Sequence, residues 1–186
     1  YSMRSYFGQL NYTYNDRYIF QAVVRKDGSS RFSSSKRWGF FPSFSAGYKI
    51  SSEPFMKNIN KYVDNLKIRA SWGRTGNNAS GNYDYQATYN STPYSFNRLP
   101  ANGLIQTKFA NPNLQWETTE TTNFGLDGTF FRNKLAFELD AYRGRTTGIL
   151  AVPPIPPIVG TSTAPTLNVA GVLKKGVELT LSYSGS

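Results

Sequence analysis

The chain contains no cysteine and no histidine. Without cysteine there is neither a disulfide framework nor a thiolate metal site. Without histidine the commonest general base, the Ser-His-Asp triad and imidazole metal ligation all disappear. This composition does not describe an ordinary enzyme, and it implies no cofactor. Only a carboxylate-pair hydrolase survives, with Glu138 and Asp140 as its candidates. Both lie on one strand face with nothing to form an opposite wall, so they read as lining. No apolar run approaches the ~20 residues of a transmembrane helix. No secretory signal opens the chain, and Tyr1 is not an initiator methionine, so the sequence reads as a piece of something longer.

What the chain does hold is aromatic and basic. Its 186 residues include 13 Tyr, 13 Phe and 3 Trp, and the formal charge is +10. Gly, Ser, Thr and Asn are abundant, which favours strands and turns. A basic balance suits nucleic acid, an anionic membrane surface or simple solubility. No Lys/Arg run is dense enough for a nucleic-acid arm and no nucleic-acid motif is present, so nucleic acid is not an expected partner.

Seven segments alternate with period two: Ser5 to Tyr14, Tyr18 to Arg25, Phe40 to Ile50, Leu66 to Gly73, Thr122 to Phe130, Leu135 to Tyr142 and Gly176 to Tyr183. Period two sends each alternate set to one side of a sheet. One side collects Leu10, Tyr12, Phe20, Phe44, Ala46, Ile68, Ala70, Trp72, Phe124, Leu126, Leu139, Val177 and Leu181, and within the segments it has no Lys, Arg, Asp or Glu. The other carries Arg25, Lys49, Lys67, Arg69, Asp127, Glu138, Asp140 and Glu178. A Lys or Arg at mid-bilayer costs roughly 2–4 kcal/mol on a lipid-facing strand, which accounts for the clean exclusion. So many charges resist burial in a sandwich core but suit a watery lumen.

The connections separate by length. Asn15-Asp16-Arg17, Phe131 to Lys134 and Ser51 to Asn65 share one side, and the long Gly/Ser/Asn/Pro-rich stretches near 26–37, 75–115 and 147–175 share the other. That is the short-turn, long-loop asymmetry of outer-membrane barrels. Tyr12, Tyr14, Tyr18, Tyr48 and Phe130 fall near the short-turn ends; Trp38, Phe40 and Trp72 fall near the long-loop ends. These are the positions of a double aromatic girdle. The pattern is all-β, an antiparallel transmembrane β-barrel segment of about seven strands. Seven does not close a bacterial barrel, whose strand count is even, so a larger barrel is expected.

Several stretches carry their own expectations. Pro42 interrupts the third segment and needs a bulge or the strand's rim. Asp27-Gly28 reads as a turn. The basic run Arg25 to Arg37 suits anionic lipid headgroups, an acidic ligand or plain solvation. PPIPPIVG (153–160) reads as a stiffened loop rather than a polyproline ligand. Gly81 to Tyr89 forms either a β-extension or an irregular fold.

RKDGSSRF (25–32), RWGFFPSFSAGYKISSEPFMK (37–57), LKIRASWGRTGN (66–77), FANPNLQWETT (109–119) and KKGVELTL (174–181) occur in this order. Together they resemble the SusC/RagA family of TonB-linked outer-membrane proteins of Bacteroidetes-type bacteria, in the C-terminal part of the barrel. The resemblance implies a 22-stranded barrel in the bacterial outer membrane, of which residues 1–186 form a partial barrel domain. The family's plug domain and TonB contact have no counterpart in these residues. It implies TonB-dependent import of oligosaccharides or peptides under a SusD-like surface lipoprotein lid, with outer-membrane lipid and lipopolysaccharide around the barrel. The family blocks read as structural signatures. Ligand contacts are expected from the variable loops, where Tyr83, Tyr85, Tyr89, Tyr94 and Phe96 either stack on ligand or pack the loop. The rival readings are a soluble or secreted carbohydrate-binding β-sandwich and a structural outer-membrane barrel without transport.

Overall fold

A computed structural model describes residues 1–59, 61–156, 158, 160 and 163–185. Among these, nine strands form: β1 (Met3–Tyr14), β2 (Tyr18–Ser29), β3 (Trp38–Lys49), β4 (Val63–Asn77), β5 (Thr88–Phe96), β6 (Leu99–Lys108), β7 (Glu117–Phe130), β8 (Leu135–Ala151) and β9 (Leu167–Tyr183). Seven of them make one antiparallel sheet in the order β1-β2-β3-β4-β7-β8-β9, so chain neighbours are sheet neighbours except where β5 and β6 are skipped. Those two pair only with each other. Asn97 and Arg98 both adopt positive φ between them, which is the two-residue turn whose twist matches a hairpin. The loop around Gly81 to Tyr89 therefore opens irregularly and enters β5 at Thr88.

The strands outrun the apolar alternation. β2 continues through Ser29, β4 through Asn77 and β8 through Ala151, while β9 already begins at Leu167. Backbone pairing needs no apolar side chain, so the ladder persists where the sequence turns polar. At the long-loop end the described residues of 30–37, 78–116, 152–156 and 163–166 lie outside the main sheet. Pro157 and Val159, within the proline-rich stretch, lie outside the described residues.

Asp27-Gly28 is not a turn. Both sit inside β2, opposite Gly39 and Trp38. A Cβ on Gly28 would lie 2.9 Å from the Trp38 indole, so the missing side chain serves a close ring approach. Pro42 pairs with Val24 without a register shift, and the β3–β4 ladder ends one residue earlier, at Ser43 opposite Gly73. The proline thus sits at the rim of that ladder, where β3 and β4 part.

The register lines the outward side chains into rows. One row runs Leu10, Ala22, Phe44, Trp72, Thr122, Arg143, Lys175. Another, toward the short turns, runs Tyr14, Tyr18, Tyr48, Ile68, Leu126, Leu139, Leu179. Leu10, Phe44, Phe124, Val177 and Leu181 on this side are half or more exposed, with no second layer over them. The β-sandwich expectation is therefore not met. Rings stack across the strands on this face: Tyr18 with Tyr48 at 5.0 Å, Phe44 with Trp72 at 6.1 Å, and Phe130 with Phe137 at 5.7 Å.

The only buried apolar cluster among the described residues lies at the long-loop end. It comprises Phe32, Phe41, Leu114 and Trp116, flanked by Tyr85 and Leu150.

Candidate functional site

Two regions carry the chemistry: the polar face of the sheet and the long-loop end above it. On the polar face, Arg69 from β4 reaches two neighbouring strands. Its Nε donates to the Asp127 carboxylate at 2.9 Å, and its NH2 group donates to Asp140 at 2.7 Å. Asn123 donates to the second Asp140 oxygen at 3.0 Å. The four side chains sit on three adjacent strands because the register places Arg69 opposite Gly125, between Asn123 and Asp127. A Cβ on Gly125 would lie 2.5 Å from the guanidinium, so that glycine opens the path. This cross-strand brace ties three strands of the wall together. Asp140 is committed to Arg69 and Asn123.

At the long-loop end, sequence blocks far apart meet. Trp116 packs edge-on to Phe41 at 5.3 Å and tilted to Phe32 at 5.3 Å, and its indole N–H donates to the Arg37 carbonyl at 3.0 Å. Ser33 donates to the Pro112 carbonyl at 2.8 Å. Arg31 donates to the Asn78 carbonyl at 3.0 Å and lies over the Tyr1 ring. The DGSSRF and NPNLQW stretches thus form one latch. It closes over the gap left where β3 and β4 part.

A second knot ties the hairpin base. Asp84 accepts from Lys108 Nζ at 2.5 Å, from Thr166 Oγ1 at 2.9 Å and from the Gly81 N–H at 2.7 Å. Burial pushes the Asp84 carboxyl up, but these three donors outweigh it and hold the group below its ordinary value. Nearby, the Asn168 amide bridges the Gln115 and Gly148 carbonyls at 2.9 and 2.8 Å, and Gly148 has the positive φ that favours glycine.

The five aromatic candidates do not form one platform. Tyr83 and Tyr85 face each other at 6.5 Å in the loop, and Tyr85 is half-buried against the Phe32 cluster. Tyr89, Tyr94 and Phe96 are exposed on β5. Strand alternation puts Tyr94 and Phe96 on one hairpin face, with Leu99 opposite Phe96, and Tyr89 on the other. The basic run also divides. Arg25 lies on the polar face, bound to Asp27 at 2.7 Å, whereas Lys26 lies on the apolar side, 5.4 Å from the Trp38 ring.

Sequence reasoning did not see where charge returns to the apolar face. Its first charged residue toward the long loops is Arg4 on β1, Lys26 on β2, Arg74 on β4, Glu120 on β7, Arg143 on β8 and Lys175 on β9; β3 presents Phe40 and Trp38 there. Lys175 and Arg143 stand in the Leu10 row, while Arg4 lies six residues beyond Leu10. Barrel strands tilt by roughly 35–45° and lie ~4.8 Å apart, so a level line crosses about one residue further along at each strand. Six strand steps at that slope bring these charges to one height. The lower edge slants the same way, from Tyr14 to Tyr183. Between the two edges lie four to five rows of uncharged side chains on each strand, except on β3, where they run on to Trp38. This is close to the ~25 Å apolar band of an outer-membrane barrel.

An antiparallel sheet with an uncovered apolar band on one side, whose edges slant across the strands by the offset that barrel tilt would level, and a charged, braced face on the other fits a section of transmembrane β-barrel wall. Residues 1–184 match the family described as TonB dependent receptor-like, beta-barrel. The chain belongs to that family and is an outer-membrane protein. It is 37% identical to the TonB-dependent receptor SusC of Bacteroides thetaiotaomicron over 190 residues, covering 96% of this chain and 18% of the relative. It is 36% identical to TonB-dependent receptor P3 of Formosa agariphila over 178 residues, again covering 96% and 18%. Among solved structures, the RagAB peptide importer in its closed-closed state superposes with a TM-score of 0.84 at 32% identity, covering 96% of this chain and 19% of that one. The chain thus spans less than a fifth of the length of these relatives, which are receptors and importers by name.

Proposed function

We propose that these residues form part of the wall and mouth of a TonB-dependent importer that brings oligosaccharides or peptides across the outer membrane beneath a SusD-like lipoprotein lid. The observation that carries this reading is the division of one sheet into an uncovered, charge-free band and a braced polar face. A wall between lipid and a watery passage needs both. The likeness to SusC and to the RagAB peptide importer supports it. The sheet supplies the rigid part. The Arg69 brace holds three strands, and the Phe32–Trp116 latch fixes the ends from which the hairpin rises. The long-loop end, with the described residues of 30–37 and 78–116, faces outward in this reading. Tyr94 and Phe96, exposed together on the hairpin, are the best-placed side chains to stack on a ligand at the mouth, while Tyr85 packs. TonB would act through a plug belonging to the full-length receptor.

The test is uptake. Deleting the gene of the full-length receptor, and separately its TonB, is expected to abolish accumulation of the labelled oligosaccharide or peptide that the parent cell imports. A deletion strain that still imports every oligosaccharide and peptide taken up by the parent would leave a structural barrel without transport as the correct reading.

A further inference from the structure

The row of charges above the apolar band is densest on β8 and β9. Arg143 stands directly opposite Lys175, and Arg145 is the next outward residue of β8. All three side chains are exposed, and none takes part in an ion pair among the described residues. The carboxylate nearest in register, Glu120 opposite Arg145, is already bound by Arg74. Like charges directly opposite each other on neighbouring strands are destabilising, so an anion held between Arg143 and Lys175 would relieve their repulsion. Below it lies a shallow depression of about 630 Å³ whose lining includes Thr122, Phe124, Ala141, Arg143, Lys175 and Val177. The cations form its upper rim and the apolar side chains its floor. Leu139, Leu179 and Leu181 continue that floor toward the short turns.

A free inorganic anion would use the rim and ignore the floor; an uncharged lipid would do the reverse. We propose that Arg143, Arg145 and Lys175 seat the phosphate group of a phosphorylated glycolipid of the outer leaflet, whose acyl chains descend over Phe124, Ala141 and Val177. The leaflet assignment rests on the outward placement of the long loops in the function proposed above. The lipid seat itself does not depend on what the barrel transports. Two or three unpaired cations within one row of each other suit a headgroup bearing more than one negative oxygen. Each Lys or Arg near an anionic membrane surface contributes about 1 kcal/mol.

Native mass spectrometry of the full-length receptor in mild detergent tests this, with phosphorylated lipid A, dephosphorylated lipid A, phosphatidylglycerol and inorganic phosphate as probes. The parent is expected to retain phosphorylated lipid A in preference to the other lipids, and equimolar inorganic phosphate is expected not to displace it. The double variant Arg143→Gln/Lys175→Gln removes two charges and is expected to lower retention on the order of thirtyfold. Lys174→Gln, one residue away but on the polar face opposite Gly144, is expected to change nothing. Lys175→Arg keeps the charge and is expected to keep the lipid. Should the double variant lose its heat-modifiable gel mobility, the single variants Arg145→Gln and Lys175→Gln provide the comparison. Equal retention by parent and charge-removal variants would overturn the seat, as would equal retention of dephosphorylated lipid A. Equal retention of phosphatidylglycerol would overturn the glycolipid assignment, and displacement by inorganic phosphate would mark a free-anion site. Uptake is measured separately, so an importer that fails the lipid test and a lipid-binding barrel that imports nothing give different results.

Discussion

The Phe32 ring lies 5.3 Å from the Trp116 ring, and both side chains are buried although they belong to different connections of the sheet. The contact joins the loop after β2 to the entry of β7 across the place where β3 and β4 part. Phe41 completes it, and a Cβ on Gly76 would lie 2.1 Å from the Phe41 ring. Truncating a buried Phe to Ala costs about 3–5 kcal/mol in a packed core. In Phe32→Ala that loss falls on the latch, since the strands hold by their own ladders. Hydrogen exchange on the full-length receptor is expected to speed up over 30–37 and 110–116 while the amides of β8 and β9 stay protected. Unchanged exchange in those two stretches would show that the latch does not depend on this pair.

The Arg69 brace makes a different demand. Its two carboxylate partners lie on neighbouring strands and share one guanidinium. Arg69→Met would leave Asp127 and Asp140 half-buried and facing each other without a counter-charge. Hydrogen bonds to charged groups contribute about 1.5–3 kcal/mol each, reduced here by partial exposure, so a loss of about 2 kcal/mol is expected in urea unfolding from detergent. Adding Asp127→Asn and Asp140→Asn is expected to recover part of it, because the repulsion goes with the charges. A triple variant no more stable than Arg69→Met would show that like-charge repulsion contributes nothing.

How far the sequence reached is visible in these two sites. Strict alternation between Leu66 and Gly73, or Gly176 and Tyr183, was enough to assign faces; Ile50, expected at the end of the third apolar row, instead starts a short 3-10 turn (Ile50–Ser52) after β3 ends at Lys49. The reading stopped at Arg25, Gly73, Tyr142 and Gly176 because alternation of apolar residues was its only guide to a strand. Lys26, Arg74, Arg143 and Lys175 stand one residue past those limits. A level ring of charge is scattered in sequence because tilted strands cross one height at different offsets. The latch was hidden for a related reason: DGSSRF and NPNLQW look like turn chemistry until the register brings their ends together. Asp27-Gly28 misled for the opposite reason, since a glycine needed for the Trp38 ring looks, in sequence, like one needed for a turn.

The Asp84 knot gives the loop end a pH dependence of definite sign. A carboxyl held below its ordinary value stabilises the folded loop at pH above the unfolded value of about 4. That contribution is lost as pH falls through the lower, folded value. Protease nicking within 78–116 is therefore expected to be slow and flat from pH 8 to 5, and to rise only below about 4. In Asp84→Asn the Lys108 ammonium loses its counter-charge, so nicking is expected to be faster at neutral pH and to lose its acid-induced rise. A variant that keeps the full acid response would assign the titration to another group.

The orientation of the sheet can be tested with one pair of neighbours. Ala46 sits in the middle of the apolar band, between Phe20 and Ala70, while Ser45 points to the polar face beside Gln21 and bonds to it at 3.4 Å. An arginine on the lipid face near mid-bilayer costs roughly 2–4 kcal/mol, whereas one in a watery lumen costs little. Ala46→Arg is expected to lower the unfolding free energy of the full-length barrel in lipid vesicles by about that amount, and Ser45→Arg by less than about 1 kcal/mol. The two substitutions add the same side chain one position apart on one strand, so helix or strand propensity and net charge cancel between them. The opposite order of effects would mean that lipid meets the face of Arg69 and Asp140. The eight charged strand positions from Arg25 to Glu178 would then face lipid, and the arrangement of the whole wall would have to be reversed.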